Sequence, residues 1–427
     1  MAVRRNPGAR SARLTVEGLE PRNLMTARVS AGYMLIDPFT SKPLSVVSAQ
    51  VANPHAPSHH MTHSAVKHHA LAGNAKTNIV AKPLADASAY TGALPPSLVR
   101  HAYGLDQSGL TGAGQTIALI EAYDDPTIGT DLQAFSQRFG LPSTNLLKAV
   151  PITGKPRFDA GWAGEIALDV EWAHAMAPGA TILLVEAKST SYTDLLSAVD
   201  YAVSVGAKQV SMSWGSSEVR GLTNSLDRHF KVPGVTFTAA AGDGGMEVEH
   251  PAVSSYVTGV GGTSLQVDTA GNRLNETAWS GSGGGVSNYT NVPSYQASSV
   301  TGSKRNVPDV AFDADPSTGV LVYDSSSGGA WYQVGGTSVG APSWAGIIAH
   351  VNQGRANAGK ASLGTGKSFG TNQVLYQLAG ATPRSSISAD YYDITLGGNG
   401  ISAKPGYDSV TGLGTPTSRL VTDLVNS

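Results

Sequence analysis

A serine at the start of a helical pattern stands where its hydroxyl could act as a nucleophile. Ser338 lies in the turn 335–342, which follows the strand-like run 331–334 and precedes the helical run 344–351. A hydroxyl at such a turn is exposed, and backbone N–H groups at the helix start can stabilise an oxyanion. Ser338 is therefore a candidate nucleophile, although a turn rich in glycine, serine and threonine is more often only a turn.

Two common arrangements of catalytic serines do not fit this sequence. An α/β-hydrolase places its acid and then its histidine after the serine. Only His350 follows Ser338, and it is too close to leave room for an intervening acid and its scaffold. A subtilisin triad needs an aspartate and a helix-starting histidine ahead of the serine, and the sequence contains no His-Gly-Thr. The group that accepts the serine proton must be sought elsewhere.

Two carboxylates share one face of the helical run 162–176. Glu165 and Asp169 are four residues apart, and the same face continues through Trp172 and Met176. A close acidic pair on an apolar stripe is costly to bury, and the stripe supplies no cation. The pair is therefore a candidate for chemistry, and a solvent-exposed face is the alternative interpretation.

Strand and helix patterns alternate from Tyr103 onward. The predicted strands are 116–122, 181–186, 209–214 and 235–241, and the predicted helices follow Asp131, span 193–205 and lie near 222–230. This alternation predicts an α/β fold with a parallel β-sheet flanked by helices, whose functional groups lie at the carboxyl ends of the strands. Asp243 follows the last of these strands in a glycine-rich turn, where aspartate is most often a turn residue. Its place at that edge makes it a candidate site residue.

Composition excludes several classes of protein. The 427 residues carry a formal net charge of −2 and a charged fraction of 14%, which argues against a nucleic-acid partner. No run approaches the roughly 18 uninterrupted apolar residues of a membrane span. Cysteine is absent, so disulfides, thiol catalysis and thiolate metal sites are excluded.

The first 92 residues differ from the rest, and we predict a disordered N-terminal extension ahead of a domain at 93–427. Residues 19–25 resemble a Leu-Glu-Pro-Arg box found near the N-termini of many exported bacterial proteins, which favours a secreted or cell-surface protein. A tract between Asn53 and Ala70 is rich in histidine, with His55, His59, His60, His63, His68 and His69. It is either a metal-binding tract or, as we favour, a solvated tail.

Taken together, the segments from about Leu98 to Leu424 resemble the sedolisin, or serine-carboxyl peptidase, family. Glu165 and Asp169 match its Glu-x-x-x-Asp helix, and Asp243 matches its Gly-Asp turn. Residues 336–342 match its Gly-Thr-Ser-x-x-x-Pro box. The resemblance implies a subtilisin-like fold and a kumamolisin-like member of the family.

The resemblance also implies a serine-type peptidase that acts on protein or peptide substrates. Ser338 would be the nucleophile, Glu165 its general base in place of histidine, and Asp169 the acid that orients Glu165. Asp243 would face the oxyanion and must be protonated to donate a hydrogen bond, which predicts an acidic pH optimum. Glu121, near the end of the first strand of the domain, would be an accessory carboxylate.

A substrate groove and one Ca²⁺ ion are further implications of the resemblance. The groove residues would be Ser213, Trp214 and Gly215, and the calcium ligands would be Asp393, Ile394, Lys404, Gly406 and Asp408. Carboxylate and carbonyl oxygens suit calcium, although two turn-forming aspartates are the alternative interpretation. The family pattern has glycine where Lys404 stands. We expect a monomer.

The sequence leaves two questions open: how the protein is activated, and whether it is catalytically active. Family members usually carry a large folded prosegment, and this extension is too short and irregular to form one. The chain therefore needs no propeptide, is cut near 93–96, or is a degenerate relative. The alternative function is a catalytically lapsed, secreted binding or surface protein with the same fold. Against it, the positions of Ser338, Glu165, Asp169 and Asp243 all hold chemically competent residues.

Overall fold

The computed structural model describes residues 32–44, 74–77, 79–84, 92–326, 328–380 and 387–427. The α-helices there are α1 Pro96–Ala102, α2 Ile128–Phe139, α3 Ala160–Met176, α4 Tyr192–Ser204, α5 Leu222–Phe230, α6 Gly340–Asn357, α7 Gly370–Leu378 and α8 Leu420–Asn426, and short 3₁₀ helices span Leu105–Gln107 and Thr337–Val339. The strands there are β1 Tyr33–Ile36, β2 Val80–Leu84, β3 Thr116–Ala122, β4 Asn145–Pro151, β5 Thr181–Ala187, β6 Gln209–Met212, β7 Ser216–Ser217, β8 Thr236–Ala240, β9 Glu249–His250, β10 Thr258–Val267, β11 Arg273–Ala278, β12 Gly285–Asn291, β13 Lys304–Val307, β14 Val310–Asp313, β15 Val320–Asp324, β16 Ala330–Gly335, β17 Tyr391–Tyr392 and β18 Thr415–Pro416.

A large, mostly parallel sheet forms the centre of the domain. Its strands follow the order β1-β4-β5-β3-β6-β8-β10-β11, and β14 also pairs with β10. The pairs from β4 through to β10 are parallel, whereas β1 and β11 pair antiparallel with their neighbours. The predicted α/β fold, with a parallel sheet flanked by helices, is confirmed.

Strand β3 shows why helices cover both faces of this sheet. Ile117 and Leu119 pack in one core with residues of α3 and α6. Ala118 and Ile120 pack in a second core with residues of α4 and α5. Successive strand residues point to opposite faces, so a strand that is apolar throughout needs cover on both sides. By the same alternation, Glu121 lies on the α3 face.

Two parts of the predicted N-terminal extension pack on the domain. Strand β1 pairs antiparallel with β4 and extends the central sheet. Strand β2 pairs antiparallel with β16, the strand that leads to Ser338. The structured part of the chain therefore begins well before the predicted boundary at residue 92. The export-type box at 19–25 and the histidine tract at 53–70 lie outside the described residues.

The predicted cleavage region near 93–96 is not an open loop. Ala93 and Leu94 are 5% and 7% exposed. The Leu94 N–H donates to the Gly319 carbonyl oxygen at 2.8 Å, and Pro96 begins α1. Proteolytic nicking favours exposed, mobile loops, so this segment is a poor site for a cut.

A buried ion pair joins β13 to the turn before β14. Arg305 Nη2 lies 2.5 Å from Asp309 Oδ2, and both side chains are fully buried. The Tyr376 hydroxyl donates to Asp309 Oδ1 at 3.0 Å. Removing one member of such a pair leaves an uncompensated buried charge, which is strongly destabilising.

We therefore expect Asp309→Asn to lower the free energy of unfolding by about 3–5 kcal/mol. The matched control is Asp423→Asn, which breaks the exposed pair between Asp423 and Arg419 and should cost at most about 0.5 kcal/mol. Urea denaturation, monitored by tryptophan fluorescence, measures the free energy of unfolding of both variants. Equal losses in the two variants would contradict this account of the core.

Candidate active site

Ser338 lies between β16 and α6, in the 3₁₀ helix Thr337–Val339. The chain reaches it through Gly336, whose φ of +118° is a conformation that residues with a β-carbon rarely adopt. The Gly336 N–H donates to the Ala314 carbonyl oxygen at 2.6 Å, which fixes the turn. Ser338 is 3% exposed, and α6 begins two residues later, at Gly340. The strand-to-helix turn predicted for it is present, but the side chain is buried and not exposed as predicted.

The carboxylates of α3 are buried, which excludes the exposed-face interpretation. Glu165 and Asp169 are both 0% exposed. The Ser213 hydroxyl lies 2.9 Å from Asp169 Oδ1 and 2.8 Å from Oδ2, and it lies 3.4 Å from the Ser338 carbonyl oxygen. Burial raises the pKa of Asp169 to about 7. Ser213 therefore links α3 to the backbone of the turn that holds Ser338.

Glu165 has the properties of a proton acceptor for Ser338. Within the described residues, neither of its carboxylate oxygens has a well-formed hydrogen-bond partner. Burial, and then the charge of Asp169, raise the pKa of Glu165 well above its usual value, while the neighbouring Ser338 hydroxyl acts in the opposite direction. A long, poorly aligned contact is common in a free enzyme and tightens when substrate binds.

Glu121 extends the carboxylate network beneath Asp169. It is fully buried, and burial, followed by the charges of Asp169 and Glu165, raises the pKa of Glu121 well above its usual value. A protonated Glu121 beside Asp169 can donate a hydrogen bond to it. In the register of β3 with β5, Glu121 is paired with Glu186, whose Oε1 lies 2.7 Å from Lys148 Nζ.

Glu186 and Lys148 were missed by the sequence reasoning. A signal was available, because a glutamate stands near the end of both predicted strands 116–122 and 181–186. Parallel neighbours in register place such side chains on the same face.

Asp243 follows β8 and contacts Thr337, the residue before the candidate nucleophile. The backbone N–H and the hydroxyl of Thr337 both approach Asp243 Oδ1, at 2.7 and 2.9 Å. Burial raises the pKa of Asp243 to about 6, although these hydrogen bonds oppose the shift. Asp243 Oδ2 can carry a proton while Oδ1 accepts from Thr337. Thr337, which the sequence reasoning did not assign, thus fixes this carboxyl beside Ser338.

Comparison with known proteins identifies the family. Residues 160–380, which contain Glu165, Asp169, Asp243 and Ser338, match the Subtilase family. The chain belongs to the subtilase family.

Two similar relatives of this subtilase are kumamolisin and sedolisin. It is 36% identical to kumamolisin from a Bacillus species (strain MN-32) over 374 residues, which cover 77% of this chain and 63% of kumamolisin. It is 30% identical to sedolisin from a Pseudomonas species (strain 101) over 344 residues, 71% of this chain and 56% of sedolisin. The chain thus spans less than two thirds of either relative.

A solved structure gives the same result for the fold. Pseudomonas sedolisin, a serine-carboxyl proteinase complexed with two molecules of pseudo-iodotyrostatin, has a TM-score of 0.64 and 29% sequence identity. The match covers 78% of this chain and 97% of that one. The predicted resemblance to the sedolisin family, with its subtilisin-like fold, is confirmed.

Trp214 of this subtilase, a predicted groove residue, has a buried side chain. The indole is 1% exposed, and its Nε1–H donates to the Ile120 carbonyl oxygen at 2.8 Å. It packs edge-on against Tyr192 beneath the sheet edge. The ring therefore packs inward in this structure, and the groove assignment of Trp214 stays a prediction. The backbone of Gly215 pairs antiparallel with that of Lys76.

The predicted calcium ligands of the subtilase domain surround one C-terminal loop. Asp393 Oδ2 accepts the Gly406 N–H at 2.9 Å, and Asp408 Oδ2 accepts the Lys404 N–H at 3.1 Å. No cluster of three or more His, Cys, Asp and Glu side chains suited to a metal occurs in the described ranges. Calcium also binds backbone carbonyls, so two carboxylates and a loop fit its donor chemistry.

Proposed function

We propose that this chain is a serine-carboxyl endopeptidase that hydrolyses peptide bonds at acidic pH. The observation that supports this most strongly is that acidic side chains from separate elements meet at one turn. Glu165 on α3 and Asp243 after β8 come from separate elements, yet both lie beside the turn that holds Ser338. Buried titratable groups with raised pKa values in contact with a candidate nucleophile are typical of an active site.

In the proposed reaction, the Ser338 Oγ attacks the carbonyl carbon of the scissile bond and its proton passes to Glu165. The oxyanion of the tetrahedral intermediate accepts a hydrogen bond from protonated Asp243. The C–N bond then breaks, and Glu165 returns the proton to the leaving amine. Water, deprotonated by Glu165, attacks the acyl ester, and cleavage of the ester bond restores the serine hydroxyl and releases a carboxylic acid.

Asp169 and Glu121 act on the base and not on the substrate in this proposal. Asp169 is oriented by the Ser213 hydroxyl and in turn fixes the side chain of Glu165 and stabilises its protonated form. Protonated Glu121 donates a hydrogen bond to Asp169. Sharing one proton between buried carboxyls avoids placing several negative charges in an apolar helix.

The acidic optimum follows from the proton count of the active form. That form carries a proton on Asp243 and none on Glu165. Because Glu165 interacts with Asp169 and Glu121, the proton held by these three carboxyls must then lie on Asp169 or Glu121. Adding a proton removes the base, and losing one places a carboxylate against the oxyanion, so the profile is bell-shaped. Because the pKa of Asp243 is raised to about 6, the rate should fall as pH rises above that value.

Covalent labelling tests this function against a lapsed binding protein. A serine-directed phosphonate, followed by intact-mass and peptide mass spectrometry, should modify wild type at Ser338 and leave Ser338→Ala unmodified. Labelling measures an activated hydroxyl without requiring knowledge of the substrate sequence. No adduct on the folded wild type at any pH from 3 to 7 would favour the lapsed protein.

We also propose that Asp393 and Asp408, with the carbonyl oxygens of Ile394, Lys404 and Gly406, hold one Ca²⁺ ion. A bound cation would neutralise the two carboxylates and stabilise the C-terminal loop. Free calcium at 100 times its Kd should stabilise the fold by about 2.7 kcal/mol.

Thermal unfolding in calcium and in EGTA measures this effect. Wild type should show a higher Tm in calcium, and Asp393→Asn should lose most of the difference. Matching Tm values for wild type in the two buffers would contradict a bound ion.

We further propose a secreted or cell-surface monomer that acts on protein or peptide substrates. Within the described ranges, no helix combines the length and the apolar character that crossing a bilayer requires. The formal net charge of −2 supports a protein without a nucleic-acid partner.

A further inference from the structure

The buried carboxyls of the candidate site do not end at Glu121. Glu121 on β3 and Glu186 on β5 are paired in register, and both side chains are fully buried. Neighbouring strands lie about 4.8 Å apart, and residues in register point to the same face of the sheet. Glu186 alternates with Ile182 and Leu184, which pack in the same core as α3. Glu186 therefore lies beside Glu121 on the face that α3 covers.

Lys148 on β4 holds one oxygen of Glu186. Lys148 Nζ lies 2.7 Å from Glu186 Oε1, 2.7 Å from Asp124 Oδ1 and 2.8 Å from the Asp125 carbonyl oxygen. These three acceptors use all three protons of the ammonium group. The Asp125 N–H also donates to Glu186 Oε1, at 3.2 Å. Glu186 Oε1 thus accepts two hydrogen bonds and is fixed in place.

The second oxygen of Glu186 has a different environment. Within the described residues, Glu186 Oε2 is buried without a well-formed hydrogen-bond partner, and so are both oxygens of Glu121. Ionised carboxylates without donors are costly to bury, which favours protons among these oxygens. Because Oε1 already accepts two N–H groups, a proton on Glu186 belongs on Oε2, from which it can be donated to Glu121.

The charges around Glu186 favour its neutral form. Asp124 balances the charge of Lys148, and its Oδ2 lies 2.9 Å from Nζ of the partly exposed Lys155. Burial raises the pKa of Glu186 to about 8, although Lys148 opposes the shift. Glu186 is therefore protonated at acidic pH. The adjoining elements contribute further acids to this region, namely Glu121 on β3, Asp125 after β3, Asp131 on α2, and Glu165 and Asp169 on α3.

We propose that Glu186 is a positioning residue for the general base of the proposed peptidase and that Lys148 fixes its orientation. This role rests on the proposed function. Protonated Glu186 donates from Oε2 to Glu121. Glu121 donates in turn to Asp169, which orients Glu165. Hydrogen bonds to ionised carboxyls stabilise them and lower their pKa, so this chain of donors keeps Glu165 ionised, and able to act as a base, at lower pH.

Two substitutions of Glu186 separate a hydrogen-bond donor from a structural carboxyl. Glu186→Gln keeps an oxygen that accepts from Lys148 and gains an amide that donates to Glu121. Glu186→Met has a similar length but donates nothing. In that variant Lys148 still has Asp124 and the Asp125 carbonyl as acceptors, so no cation is left without a partner.

The readout is the acid limb of the pH profile of kcat/KM on a denatured protein substrate. In Glu186→Met the limb should move up by about one pH unit, as expected for loss of one hydrogen bond to a charged group, and the rate well below the limb should fall about tenfold relative to the maximum of that variant. Glu186→Gln should leave the limb at the wild-type pH. An unmoved limb in folded Glu186→Met would show a structural role only. Equal movement in both variants would show that Glu186 acts through its charge, and either result would overturn the proposal.

Infrared spectroscopy provides a second test that depends on neither turnover nor the methionine variant. The difference spectrum of wild type minus Glu186→Gln at pH 5 should contain the C=O stretch of a protonated carboxyl. Absence of this band would mean that Glu186 is ionised and would overturn the proposal. Failure of the proposed peptidase function would appear in wild type itself, as absence of cleavage. An active wild type whose acid limb does not respond to Glu186→Met would refute only the role of Glu186.

Discussion

Glu165→Gln should lower kcat/KM for a denatured protein substrate by about 10³-fold, because a general base contributes roughly 10²–10⁴-fold. Glutamine has nearly the same shape as glutamate, but its amide cannot accept the Ser338 proton and return it. The substitution also removes a titratable group from a fully buried position, where burial already raises the pKa of the carboxyl. The fold should therefore persist while the chemistry is lost.

Glu171→Gln is the matched control for this variant. Glu171 is also buried on α3, but its Oε2 accepts the Tyr323 N–H at 3.0 Å, away from Ser338. Burial raises the pKa of Glu171 well above its usual value, so a neutral amide is a close substitute. Initial rates at pH 4–5 should give a kcat/KM for Glu171→Gln within about threefold of the wild-type value. Equal losses in both variants would argue against a base role for Glu165.

Asp243→Asn should change the shape of the pH profile. In wild type the protonated carboxyl is the active form, and with a pKa of about 6 the rate should fall roughly 30-fold between pH 5 and pH 7.5. An asparagine amide donates a hydrogen bond at every pH, while its Oδ1 can still accept from Thr337. The variant should be slower at pH 5 and should lose the decline above pH 6.

Asp268→Asn is the control for the pH profile. Asp268 lies in the turn between β10 and β11, where it accepts the N–H groups of Ala270 and Asn272. Its substitution should leave the profile unchanged. If Asp243→Asn keeps the wild-type decline above pH 6, the group that titrates there is not Asp243.

Local patterns predicted the elements that carry the site. The strand 116–122 matches β3, and the helical run 162–176 matches α3 to within two residues. These elements are long and strongly periodic, so sequence determines them well. The side of the sheet on which Glu121 lies also follows from strand alternation.

Features that depend on distant pairings were not predictable in the same way. Strands β1 and β2 are short, and β2 contains Pro83, which argues against a strand except at an edge. They form because β4 and β16 offer open edges. Trp214 follows an apolar strand at a turn, and only tertiary packing decides that its ring points inward. The contact between Lys148 and Glu186 likewise depends on which strands are neighbours in the sheet.

Digestion of denatured haemoglobin across pH 2–8 tests the central claim most directly. Purified wild type, Ser338→Ala and Glu165→Gln would be compared at equal concentration with calcium present, after circular dichroism confirms that each is folded. The account predicts cleavage that peaks at acidic pH in wild type and is lost in both variants. No cleavage by folded wild type at any pH, or a rate that climbs steadily to pH 8, would contradict it.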